Sequence, residues 1–87
     1  MNIITKELLE QKMQRLENDT NKVYNNLKAL HKRETTFALQ RLVNQWSDVY
    51  LDLYQLNKNK VNYLTDPTWS RLVHVRDLFS KIIIKTY

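Results

Sequence analysis

The sequence predicts an all-α protein, a small three-helix bundle in up-down-up order with two long helices and a shorter C-terminal one. Three observations lead there. The 87 residues include no glycine and one proline, so positive φ is hardly accessible and hairpins or sharp loops are disfavoured. Apolar residues recur at spacings of three and four along three blocks of the chain, as amphipathic helices require. Between the second and third blocks stands Thr65-Asp66-Pro67-Thr68. Asp66 suits an N-cap, and Pro67 suits the first helical turn, where its missing N–H costs nothing. A chain this short makes one domain with one core and little stability margin, for which oligomerisation or docking on a larger partner is a common remedy.

The first helix is predicted over about 5–33. Thr5 can cap its first turn, and Glu7 and Glu10 lie near the positive end of its dipole. Leu9, Met13, Leu16, Thr20, Val23, Leu27 and Leu30 form a heptad seam, widened by Tyr24. That seam serves either one face of an intramolecular bundle or a coiled-coil dimer, and Lys12 with Glu17 is the one obvious opposite-charge pairing beside it. His31, Lys32 and Arg33 suit a helix C-terminus, and Thr35 or Thr36 could cap a new helix, which places the first connection at about 33–36. No Gly or Asn stop signal stands there, so one long bent helix from 5 to about 60, in an oligomer, is the alternative.

The second helix is predicted over about 36–60. At 100° per residue its apolar side chains, from Ala38 and Leu39 through Trp46 and Val49 to Leu53 and Leu56, fill an arc roughly 160° wide. An arc that wide serves two neighbours at once, so this helix is the middle of the bundle. Asp48 and Asp52 fall on its polar side, and Phe37 and Leu51 sit outside the arc as exposed apolar residues. Trp46, Tyr50 and Tyr54, extended by Lys58, make a row that could stack bases. Core packing with tyrosine hydroxyls at the rim is the stronger reading.

The third helix is predicted over 67–85, with apolar residues on two sides. Trp69, Leu72, Val73, Phe79 and Ile83 form one face; Val75, Leu78 and Ile82, flanked by Arg71, form another. With one stripe buried, the second is expected to face a protein partner.

The chemistry excluded is as informative. There is no cysteine, which points to a reducing, intracellular setting without thiolate chemistry. No apolar run is long enough to span a bilayer, and Ile3–Ile4 is followed at once by Thr5, Lys6 and Glu7 rather than by a secretion signal. His31 and His74 stand alone, Asp48 with Asp52 lacks further ligands, and no glycine-rich loop cradles a phosphate. The expectation is a non-enzymatic protein without cofactor or metal. The abundance of Asn, Lys, Ile and Tyr suits an AT-rich gene, as in a phage, a virus or an AT-rich bacterium.

A formal charge of +5 suggests acidic partners, although no segment is a polybasic tail. An up-down-up topology gathers Lys28, Lys32, Arg33, Arg41, Lys81 and Lys85, with His31, at one end, opposed by Glu34. Two functions follow. The first is a small interaction module, oligomeric or docked on a larger acidic protein to inhibit or scaffold it. The second is an accessory nucleic-acid-binding protein using the basic end; a membrane-surface role for the last helix is the weakest.

Overall fold

The structure, a computed structural model, describes residues 5–58 and 66–86. Three helices, α1 (Lys6–Asn25), α2 (Lys32–Leu56) and α3 (Pro67–Thr86), pack pairwise on one another. Side-chain pairs fix their directions. Lys12 of α1 meets Asp48 and Asp52 of α2, and Asp19 meets Gln45, so α1 and α2 are antiparallel. Glu17 and Glu10 meet Arg71, and Tyr24 meets Lys85, so α1 and α3 run parallel. The chain is the predicted up-down-up bundle.

Thr5 caps α1 as predicted, its Oγ1 accepting the Leu8 N–H at 3.1 Å. The helix stops earlier than predicted. Asn26 donates its side-chain amide to the Lys22 carbonyl at 2.7 Å and its backbone N–H to Val23, ending α1 at Asn25. A single 3-10 turn, Leu27–Ala29, follows, and Leu30 and His31 are extended. The connection therefore lies at 26–31 rather than at 33–36, and one continuous helix over 5–60 does not form. The Asn stop signal is Asn25-Asn26, seven residues before the expected connection at 33–36. Thr35 and Thr36 are not caps. Both lie inside α2 and turn their hydroxyls back to the carbonyls of His31 and Lys32, at 3.2 and 3.0 Å. This internal bond lets Thr35 be buried without an unsatisfied hydroxyl, and the start of α2 at Lys32 puts Glu34 in its first turn, where the dipole favours it.

At its other end α2 stops at Leu56. Asn57 caps it, donating to the Leu53 carbonyl at 3.0 Å and to Asp66 at 3.3 Å. The last residues expected of the second helix, 59–60, and Thr65 of the stretch before the third lie outside the described residues. Asp66 does what the sequence assigns to it: its Oδ1 accepts the Thr68 N–H at 2.9 Å and opens α3.

The core is built from all three helices. Met13, Leu16, Leu53, Leu72 and Ile82 have essentially no exposure, and removing such a side chain from water contributes about 1.5–3 kcal/mol each. Thr20, the one polar residue of the α1 seam, is buried with its hydroxyl bonded to the Leu16 carbonyl at 2.7 Å. The α1 seam is thus covered within the chain from Leu9 to Thr20, and Val23 and Leu27, partly buried, pack against the same core.

The expectation for α3 is corrected. Val75, Leu78 and Ile82, expected to face a partner, are only 1%, 9% and 0% exposed. The two stripes are not opposite but about 120° apart, which suits a helix nested against two neighbours. Arg71 and Lys85, flanking the second stripe, contact α1. On the other side, Trp46 of α2 donates its indole N–H to the Leu72 carbonyl at 2.8 Å. Apart from Ile83 at the rim, 47% exposed, both stripes belong to one core-facing surface, like the wide arc of α2.

Candidate functional site at the basic end

Residues 22–41 and 77–86 lie at the end where α1 and α3 finish and α2 begins. They carry seven Lys/Arg and two carboxylates, Glu34 and Asp77. That excess equals the formal charge of the whole chain, +5, so the remainder is neutral.

The six cations predicted for this end are all exposed, but the bundle divides them among its grooves. Lys28 and Lys85 line one concavity of about 630 Å³ between α1 and α3, with Tyr24, Asn25 and Leu27. Lys85 is held there by Tyr24, 3.2 Å from the hydroxyl and 4.7 Å from the ring centroid. Arg41 belongs to the groove between α1 and α2, together with Arg15, Lys22 and Asp19. Arg33 lies over the Phe37 ring at 5.8 Å on α2. Lys81 pairs with Asp77 at 3.7 Å, an exposed contact one helical turn apart that contributes little. Lys32 is exposed in the first turn of α2. Arg15 and Lys22 extend the cationic groove and were not singled out in the sequence; their spacing of seven on α1 is the signal that puts them on one face.

The third groove, between α2 and α3, is different. Leu39, Val43 and Ile83 line it, with Thr36, Gln40 and Asn44. Next to it Phe37 is 54% and Ile84 77% exposed. Val43, Phe37, Ile83 and Ile84 therefore put apolar surface at the same end as the charge. Phe37 is legible in the sequence as an exposed residue. Val43 was assigned to the buried arc and Ile83 to a core face, because periodicity gives direction around a helix but not how far the neighbouring helix reaches.

Arg71, the fourth residue assigned to a partner surface, is engaged within the chain. Its Nε donates to Glu17 at 3.1 Å, its Nη2 to the other Glu17 oxygen and its Nη1 to Glu10. These side-chain bonds, Glu17 foremost, raise its pKa above the ordinary value against the opposing effect of burial. A bidentate fork of this kind fixes the position of α3 on α1.

Asp48 and Asp52 are not an open carboxylate pair. Lys12 reaches across from α1 and bridges them at 2.9 and 2.7 Å, and Asp52 is buried. The bond to Asp52, then that to Asp48, raises the Lys12 pKa above its usual value. Both carboxylates are consumed in helix packing. His31 and His74 are exposed, and among the described residues no group of three His, Cys, Asp or Glu could hold a metal ion. Among the same residues no helix is long and apolar enough to cross a membrane.

The aromatic row of α2 serves the joint with α3. Trp46 and Tyr50 stack at 5.6 Å, and Tyr50 meets Trp69 at 6.0 Å with tilted rings. Of the three aromatic side chains in the row Tyr54 alone is exposed, at 49%.

No protein-family model matches this chain, and neither a curated protein nor a solved structure matches it at a significant level.

Proposed function

We propose that this protein is a non-enzymatic binding module that docks its basic end on an acidic surface of a larger protein, to inhibit or scaffold it. One observation carries the reading: the entire net charge of the chain shares one end of the bundle with exposed Phe37, Ile83 and Ile84. Aromatic and aliphatic anchors among arginines and lysines resemble a protein interface, where apolar side chains fill pockets and charges set orientation and encounter rate. A nucleic-acid backbone would use the cations but gain nothing from isoleucines.

The test is affinity purification of the tagged chain from the cell that encodes it, with nuclease treatment, against a variant carrying Lys28→Glu, Arg33→Glu and Lys85→Glu. The expected result is a protein retained after nuclease by the native chain and lost by the variant. Retention of nucleic acid alone, or of the same protein by both, overturns the reading.

A further inference from the structure

We infer that the groove between α2 and α3 receives an acidic amphipathic helix of the partner protein. This rests on the reading above, and it names the mode of binding rather than the fact of it. Three observations meet at this groove. It is the apolar one of the three at the basic end, a concavity of about 520 Å³ with Leu39, Val43 and Ile83 in its walls. Val43 and Ile83 are each about half exposed although they sit between two packed helices, so the bundle leaves unfinished there the position a fourth helix would fill. Cations stand at both ends. Arg33 lies seven residues before the lining residue Gln40 on the same face of α2, and Arg76 seven residues before Ile83 on the same face of α3. Arg76 is exposed and forms no ion pair among the described residues, and the charge of Arg33 meets only the ring of Phe37.

A helix entering such a groove presents apolar anchors at i, i+3 or i+4, and i+7. With carboxylates flanking those anchors, it would meet Arg33 toward one end and Arg76 toward the other. A second copy of this chain fits poorly. Its α1 carboxylates Glu10 and Glu17 are held by Arg71, and its α2 carboxylates Asp48 and Asp52 by Lys12. The exposed carboxylates without a side-chain partner among the described residues, Glu7 and Glu34, stand on different helices at opposite ends of the bundle and make no acidic face, whereas its own basic end repels.

The probe is a displayed library of 16-residue, helix-favouring peptides randomised along their surface and selected against the immobilised full chain. Enriched peptides are expected to carry the i, i+3/i+4, i+7 apolar pattern with net negative charge. The best of them should bind a Val43→Asp/Ile83→Asp variant at least about tenfold more weakly, while Lys6→Gln, at the opposite end of the bundle, changes binding less than about threefold. Both positions of the double variant are exposed, so unchanged circular dichroism separates loss of binding from loss of fold. Enrichment of acidic peptides that respond to Lys28 and Lys85 but not to Val43 and Ile83 overturns the groove assignment and leaves acidic docking standing. Enrichment of no acidic peptide overturns both. A dimer in sedimentation that the double variant abolishes assigns the groove to a second copy and overturns the acidic helix.

Discussion

The end of the bundle holding the start of α1, the end of α2 and the start of α3 uses ion pairs to join its helices, whereas the opposite end leaves most of its charges out of the packing. At the first, Arg71 ties α3 to Glu10 and Glu17, Lys12 ties α1 to Asp48 and Asp52, and Asp66 closes the entry to α3. At the second, Lys22, Lys28 and Arg41 hold no ion pair among the described residues. The molecule is 43 Å long, several times the screening length of about 8 Å at physiological salt, so one end cannot neutralise the other. Ion pairs that join helices specify how they pack. Unpaired like charges do the reverse, weakening the folded state slightly while attracting an opposite charge from outside. The difference separates a region whose charges join the helices from one whose charges take little part in packing.

Four perturbations break or sharpen that contrast, beginning with the largest. Both ends share one core, so Ile82→Ala should cost about 2–5 kcal/mol in urea denaturation, and Ile82→Asp should abolish the cooperative transition. If Ile82→Asp instead kept the native midpoint, the stripe of Val75, Leu78 and Ile82 would be surface after all. Next, Arg71→Met removes the fork from partly exposed glutamates, and we expect a loss of about 1–2 kcal/mol. An unchanged midpoint would mean that the paired end is no better fastened than the basic one.

The third perturbation is pH. Burial works to raise the Asp66 pKa, but the Thr68 N–H and the Asn57 amide together outweigh it and hold the carboxyl below its ordinary value. A depressed folded-state pKa contributes stability above the unfolded value, near 4, that is lost as acid protonates the carboxylate. Lys12 has the opposite sign: its raised pKa contributes below about 10.5 and is lost in stronger alkali. Asp66→Asn should keep most of the cap yet flatten the acid limb of the midpoint-against-pH curve, whereas Asp66→Ala should cost about 1 kcal/mol at neutral pH. Identical acid limbs for native chain and Asn variant would remove Asp66 as the cause. Smallest of all, Lys28→Gln and Arg41→Gln should leave stability within about 0.5 kcal/mol. A loss above that in thermal melts would show these cations to be structural.

Legibility in the sequence followed how local each signal was. The start of α3 could be read because Asp66 and Pro67 act on their immediate neighbours, and Thr5 likewise. The break after α1 was misplaced because Thr35 and Thr36 have two helical uses, capping ahead or bonding back, and only the preceding turn decides between them. Burial of Asp52 was illegible, since the cation that permits it lies 40 residues away in the chain. Val75 and Ile82 were misjudged by treating two stripes as inside and outside, when a helix with two neighbours buries both. The basic end followed from topology, but its division into two cationic grooves and one apolar groove needed the inter-helix register.

The fork on Arg71 also bears on the order in which the molecule forms. It joins residues 54 and 61 positions apart, whereas α1 with α2 and α2 with α3 are neighbours in sequence. Bringing distant segments together costs more chain entropy than closing adjacent ones, and helical bundles gain speed from their local contacts. The joint between α1 and α3 is therefore the one to close last. Contacts made after the folding barrier govern how slowly a protein comes apart rather than how quickly it assembles. On that account the fork of Arg71 with Glu10 and Glu17 is expected to act on the lifetime of the folded bundle more than on its rate of assembly.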